Sequence, residues 1–310
     1  DPNDLTIGTG SNTNITGSFG TTDDGAFLST ASLAAALTNG SNVVVLTNSG
    51  GSNLGHGDIN VNGAITTSLA ASQSATLTLA AQGDINIASG GSIAAGGANR
   101  SLNVNLYAGT QLGGGSPGSV ASQISMSSGT SINTGQSGNL TAISKGDVTL
   151  ANATLGGALT VTTNNGAFAQ VTGSALTVTG AATVNAGTKD VSFNSASNQL
   201  SGAISSTGTG AVTIKNTLAT NLGTIGASGA AALSLDVTTT NAAVTQSGPA
   251  FVTGDTTVRA GSGAVTLNQA GNQFTGGINS TGTGAVTLVN STATSLRNIG
   301  TNGGAVASLS

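Results

Sequence analysis

Short alternating runs dominate the chain. "GDINV" (residues 57–61), "ATLTL" (75–79), "LNVNLY" (102–107), "GDVTL" (146–150), "DVSF" (190–193) and "AVTI" (211–214) place apolar side chains at every second position. That period belongs to a strand with one buried face. Gly, Asn, Ser and Thr separate the runs and supply tight turns. One segment departs from the rule, "STASLAAALTNG" at 29–40. Ser29 or Thr30 can cap it, Leu33 and Leu37 lie one turn apart, and Gly40 can end it. The pattern predicts one short helix near residues 29–39, laid on the side of the strands. "YAGTQLGGGSPGSVAS" (107–122) reads as a projecting loop.

The runs recur on two scales. "NQLSGAISSTGTGAVTIKN" (198–216) returns 74 positions later as "NQFTGGINSTGTGAVTLVN" (272–290), with thirteen of nineteen residues identical. "LTVTTNNGAFAQ" (159–170) returns as "LDVTTTNAAVTQ" (235–246), at an offset of 76. The two-residue slip belongs in a turn near Thr172 or Ser247, where length is tolerated. Within each repeat, strand-like runs follow one another every 21 or 22 positions for the most part. A unit of that size with two or three short strands is one coil of a β-helix. A coil cannot bury its own apolar residues, whereas stacked coils align Val on Val and Ile on Ile. Val212, Val286, Ile204 and Ile278 are therefore expected in the core, with strands stacked in register across the repeat. The organisation expected is irregular coils over 1–150, with the helix and the loop near 107–122, then regular β-helix coils over 151–310 that repeat at offsets of 74 to 76 positions.

Composition sharpens this picture. Of 310 residues only ten are acidic, all Asp, and six are Lys or Arg; there are six Phe, one Tyr and no Trp. Such scarcity of long charged side chains disfavours exposed helices, and small and β-branched residues favour strands. A net charge of −4 with scattered basic residues leaves no footprint for nucleic acid. No apolar run reaches the roughly 20 residues of a membrane-spanning helix. The absence of Cys excludes disulfides and thiolate metal sites.

Candidate chemistry is sparse. His56, the only histidine, stands two residues before Asp58 in "LGHGDIN", where a polar turn residue is the plainer reading. Asp23 and Asp24 are the only neighbouring carboxylates, too few for calcium, which wants six to eight oxygens. Glycosidases need two opposed carboxylates, but Asp84, Asp147, Asp190, Asp236 and Asp255 are dispersed beside turns. Asp255 and Arg259 read as a surface pair. Thr-x-Thr at 76–78, 160–162 and 177–179 suggests an ice-matching array but does not recur once per coil. "TGTGAVT" (207–213) lacks the Lys and the following helix of a phosphate loop. No catalytic, cofactor or metal residue is assigned, and no enzymatic activity is expected.

The phrases "LSTASLAAALTNGSNVVVLT", "GDINVNGAI" and "ATLTLAAQGDINI" resemble the filamentous-haemagglutinin-type exoproteins of Gram-negative bacteria. "AVTLNQAGNQFTGGI" and "AAVTQSGPAFVTGDTTV" are similar to the repeats of their stalks, so the resemblance covers roughly residues 21–310. It implies a right-handed parallel β-helix, two-partner secretion through an outer-membrane transporter, and display as a fibre at the cell surface. Adhesion, biofilm cohesion and carriage of a distal toxin are the roles known in the family. "DPNDL" (1–5) departs from the Asn-Pro-Asn type motif of the family's secretion domain, and the chain stops mid-repeat at "AVASLS", so a middle piece of a longer protein is expected.

The function expected is therefore a non-catalytic stalk of a secreted adhesin or matrix fibre. Its partners would be copies of itself in fibres or bundles, and polysaccharide or host-surface glycans. The alternative is a module that itself binds polysaccharide along a polar face, for which Tyr107 is the one surface aromatic besides Phe. Neither end reads as a polar cap, so open-ended association or chain continuation is expected.

Overall fold

A computed structural model describes residues 3–47, 56–97, 99–109, 122–300 and 308. The alternation in the sequence becomes alternation in burial. In the strand Ser101–Ala108, Leu102, Val104, Leu106 and Ala108 are fully buried, while Asn103, Asn105 and Tyr107 face outward. Each such Leu or Val contributes about 1.5–3 kcal/mol by leaving water. Among the described residues nearly every element is a parallel strand, stacked in β-solenoid coils, and one is a helix. It divides into two compact units: Asp1–Gly166 with Val171–Ser174, and Ala167–Gln170 with Ala175–Ser310.

Each coil of the first unit visits three faces. The first face carries Ile59–Val61, Ile85–Ile87, Ile124–Met126 and Val148–Leu150, with Ile59 beside Ile85, Ile85 beside Ile124 and Ile124 beside Val148. The second carries Ala64–Thr67, Ser92–Ala95, Ser131–Gly135 and Asn152–Leu155. The third carries Asn42–Leu46, Ser74–Ala81, Ser101–Ala108, Leu140–Ser144 and Leu159–Thr163.

The helix, Thr30–Leu37, is not laid on the side of the stack. It follows the strand Ala26–Ser29, precedes Asn42–Leu46, and packs against Ala64–Thr67, so it takes the place of a second-face strand. Leu33 and Leu37 drive this, since both are fully buried. Ser29 occupies the N-cap position without a side-chain bond, and its N–H is donated to Asn12 Oδ1 at 2.8 Å.

At this end the segment before the helix meets part of each outermost strand. Thr13 exchanges two 2.9 Å backbone bonds with Phe27, covering the outermost first-face strand. Phe19 and Thr21 bond Leu46 at 3.2 Å, at the end of the outermost third-face strand. Residues 13–21 thus occupy the backbone groups of Phe27 and Leu46, which would otherwise be open to further pairing. The projecting loop expected near 107–122 falls, from 110 to 121, outside the described residues.

In the second unit one sheet runs through Phe168–Gln170, Val191–Phe193, Ala211–Asn216, Ser234–Thr239, Thr256–Gly261, Gly277–Gly282 and Ser295–Ile299. Another runs through Ala182–Asn185, Ala203–Ser206, Thr220–Ile225, Val244–Gln246, Val265–Leu267 and Val286–Leu288. Two short pairs complete the coils. Leu176–Val178 pairs with Gln199–Leu200, and Phe251–Val252 with Gln273–Phe274. The early pair lies, along the chain, between the first sheet and the second. The later pair lies between the second and the first. The coil joining them carries two six-residue strands, Ala211–Asn216 and Thr220–Ile225, and among the described residues no short strand, before Ser234–Thr239 stacks on Ala211–Asn216 and begins the next coil. One narrow face closes there and another opens at a different corner.

Candidate functional site

Corners hold most of the distinctive polar residues. In the first unit Asp4 Oδ1 accepts the N–H groups of Gly57 and Asp58, both at 2.9 Å. Asp58 Oδ1 accepts the N–H of Asp84 at 2.7 Å, and Asp84 Oδ1 that of Gln123 at 2.9 Å. This explains the Gly-Asp phrase. A Cβ on Gly83 would collide with the Asp58 carboxylate, so only glycine lets one coil's carboxylate reach the next coil's backbone. Burial pushes the Asp58 carboxyl above its ordinary value; the Asp84 N–H opposes this, the carboxylates of Asp4 and Asp84 add to it, and His56 opposes it. In the second unit Asp190 Oδ1 accepts the Ala211 N–H at 2.9 Å, and Asp255 Oδ1 the Gly277 N–H at 3.1 Å.

The pairing expected between Asp255 and Arg259 does not form. Arg259 bonds Asp236 instead, one coil back, and Arg297 bonds Asp255 Oδ2 at 2.7 Å. Stacking brings residues one or two coils apart closer than residues four apart on a strand and its corner. Asp23 caps its own turn, accepting the N–H of Asp24 at 2.8 Å. Among the described residues no three carboxylate or imidazole groups are placed so that they could hold a metal ion.

The repeated passage of residues 198–216 and 272–290 begins and ends on Asn, and these four residues are its structural content. Asn198 and Gln170 exchange two 2.8 Å amide bonds; Asn198 also accepts the Leu176 N–H at 2.9 Å. Asn272 and Gln246 repeat this at 3.0 and 2.9 Å, with Ala250 as the backbone donor at 2.9 Å. Asn216 brackets Leu200, accepting its N–H and donating to its carbonyl at 2.9 Å each. Asn290 brackets Phe274 in the same way at 2.9 and 3.0 Å. Asn198 and Asn272 are fully buried, so these bonds replace water outright. The "TGTG" of each copy is likewise a corner. Any Cβ on Gly210 or Gly284 would run into the backbone of the coil before it, at Lys189 and Gly263 respectively.

Sequence reasoning missed a hydroxyl series at the ends of third-face strands. Thr47 donates to the Gly57 carbonyl at 2.9 Å, Ser144 to Ser122 at 2.6 Å and Thr163 to Gly166 at 2.5 Å. A hydroxyl residue two or three positions before Gly was the available signal for Ser144 and Thr163. The Thr-x-Thr at 76–78 and that at 160–162 lie on the third face, separated by the rungs of Asn103, Asn105 and Thr141; that at 177–179 begins on the short strand Leu176–Val178 and ends just past it. Tyr107 stands on the third face between Ala80 and Ile143.

No curated protein and no solved structure matches the chain. Two successive stretches, residues 137–207 and 209–281, match the family of repeats of unknown function (DUF5649), as a repeat β-helix protein would.

Proposed function

We propose that the chain is a length of stalk from a secreted, cell-surface adhesin or extracellular matrix fibre, without catalysis of its own. One observation carries the reading: the residues written twice are spent on scaffold. Asn198, Asn216, Asn272 and Asn290 satisfy backbone groups at corners, Val212, Val286, Ile204 and Ile278 fill the core, and the corner glycines allow coils to stack. Stability then grows by adding coils, which suits a part whose length is its purpose. The resemblance to filamentous-haemagglutinin-type exoproteins supports export through an outer-membrane transporter, a place outside a Gram-negative cell, and cohesion through contacts between copies.

The test is length. Residues 191–255 can be deleted from the full protein, since Val191 and Thr256 stand in one column, three coils apart. Displayed on cells, the shortened fibre should be exported normally and measure shorter by electron microscopy. Adhesion should fall while the shed soluble protein binds its target unchanged. Adhesion that is indifferent to length would exclude the stalk.

A further inference from the structure

Most of the outer edge of the strand Asn42–Leu46 is open. On its inner edge this strand pairs with Ser74–Ala81, from Asn42 beside Thr76 to Leu46 beside Ala80. On its outer edge Leu46 is taken: its N–H goes to the Phe19 carbonyl and its carbonyl accepts the Thr21 N–H, both at 3.2 Å. In a parallel ladder alternate residues turn both backbone groups to the same edge. The N–H and C=O of Asn42 and Val44 therefore face outward beside those of Leu46, and among the described residues no strand pairs with them. Val44 is 39% exposed.

The segment before the helix could have closed this edge and turns away instead. Gly20 pairs with Leu46 in parallel, and an extended Ser18 would have come next to Val44. Phe19 takes a φ of 58°, in the left-handed region that bulky side chains avoid. Thr16 locks the reversal. Its carbonyl accepts the Phe19 N–H at 3.0 Å, its hydroxyl accepts the Gly20 N–H at 2.9 Å, and its own N–H goes to the Gly20 carbonyl at 2.8 Å. Such strain collects at binding and switch segments. The reversal leaves a groove of about 330 Å³ between turn and strand, lined by Gly17, Ser18, Phe19, Asn42, Val43 and Val44. The usual devices that blunt an edge are missing, since residues 13–22 and 42–46 contain no Pro and no charged residue.

We propose that this notch takes up one extended, uncharged segment of a partner protein as an added strand, with an apolar side chain in the groove against Phe19 and Val44. Asn42 and Val44 supply the main-chain bonds and the groove supplies selectivity, as in other strand additions. The added strand continues the pairing that Gly20 begins at Leu46. The opening is narrow, about 13 Å from Asn42 to Val45. It suits a lone strand and not a second solenoid, because residues 13–21 already stand against Phe27 and Leu46 and keep the flat end of another coil from closing on it. The site goes beyond the stalk reading, which needs no partner segment.

The probe is a dye-labelled peptide, SATLTLAA, a copy of residues 74–81, which this strand already accepts in register on its inner edge. Fluorescence anisotropy with the whole chain should show saturable binding. Two N-methylated versions carry their methyl groups on alternate residues, one at the positions of Ala75, Leu77 and Leu79, the other at those of Thr76, Thr78 and Ala80. One version should lose binding and the other keep it, because an added strand turns alternate N–H groups to its neighbour. Val44→Pro removes an outward N–H without touching the ladder to Ser74–Ala81, and should weaken binding roughly tenfold or more. Phe19→Gly suits the φ of 58° and removes a wall of the groove, so it should also weaken binding and covers the case in which Val44→Pro fails to fold. The proposal is overturned if the peptide does not bind, if both methylated versions bind alike, or if either variant, folded by its unfolding midpoint, binds as wild type. Concentration-dependent association of the chain alone in sedimentation, lost in Val44→Pro, would make a second copy the occupant and also overturn it. Because the length test reads reach and this one reads strand pairing, either can fail alone.

Discussion

Val212 and Val286 are the same residue of the repeat, 74 positions apart, yet they enter the core from different sheets. Val212 pairs with Val191 and Leu235, whereas Val286 pairs with Val265. Ile204 and Ile278 trade sheets in the opposite sense. All four are buried, as the alternation requires. The cause is arithmetic. Val191, Val212, Leu235 and Thr256 stack one above another, and the coils between them advance the numbering by 21, 23 and 21. An offset of 74 positions between the copies therefore overshoots three coils by one short strand and its corner.

Cysteine pairs can read this phase in a chain with no cysteine of its own. Thr266 and Thr287 are register partners on adjacent parallel strands. Their Cα separation of about 4.8 Å falls in the range for a disulfide. Thr266→Cys with Thr287→Cys should cross-link on mild oxidation, while Thr213→Cys with Thr287→Cys should not. Efficient cross-linking of the second pair, followed by mass spectrometry, would show the copies stacked in one column.

The buried corner amide should matter far more than its exposed neighbour. Asn198→Leu strips partners from the Gln170 amide and from the Leu176 N–H. Buried groups left unpaired cost about 1–3 kcal/mol each, so a loss of about 3 kcal/mol or more is expected by guanidinium unfolding. Gln199→Ala, on the exposed side of the same turn, should stay within about 0.5 kcal/mol of wild type.

Two glycines separate crowding from backbone strain. Gly284→Ala would drive a methyl into the backbone at Gly263 and Ala264, so the last coils should loosen and lose hydrogen-exchange protection. Gly229→Ala meets nothing within 4 Å and suffers only its φ of 80°. That cost is of order 1 kcal/mol. The two variants should therefore differ clearly in unfolding midpoint.

Asp58 predicts a pH dependence with a definite sign. Its carboxyl is raised in the folded chain, chiefly by burial, so the folded state binds the proton more readily than the unfolded one. The proton-linked stabilisation is complete below the ordinary carboxylate value and disappears as pH rises through the raised one. At neutral pH the charged group is thus a liability. Asp58→Asn, which keeps an acceptor for the Asp84 N–H, should stabilise the first unit near pH 7. That advantage should shrink as pH falls. An advantage that grew in acid would reverse the assignment.

The ion pairs should be weak. Arg259 and Asp236 have side chains 47% and 41% exposed, where such pairs are worth about 0–1 kcal/mol and are screened by salt. A double-mutant cycle on the two residues should give a coupling under about 1 kcal/mol that falls in high salt.

Much of this protein was legible in its order of residues. Period-2 runs such as "GDINV" and "LNVNLY" named their own buried side chains, because a pleat sends alternate residues to opposite faces whatever lies beyond. Leu33 and Leu37, one turn apart, marked the helix for the same local reason. The corner role of Asn198 was legible only as a repeated letter. Its partners Gln170 and Leu176 precede it by more than twenty positions, and nothing local points to them.

What only the tertiary structure decided is which residues become neighbours, because that depends on coil length summed over several turns. Val212 and Val286 read alike, and local sequence makes both inward-facing strand residues; the accumulated register sends them to different sheets. Arg259 bonds Asp236 rather than Asp255, since one coil's advance along the stack is short while four residues of extended chain are long. Leu46, Ala80, Tyr107 and Ile143 share one register file for the same reason, although no window of the sequence contains any two of them close together. Alternation is a property of one strand. Adjacency is a property of the stack.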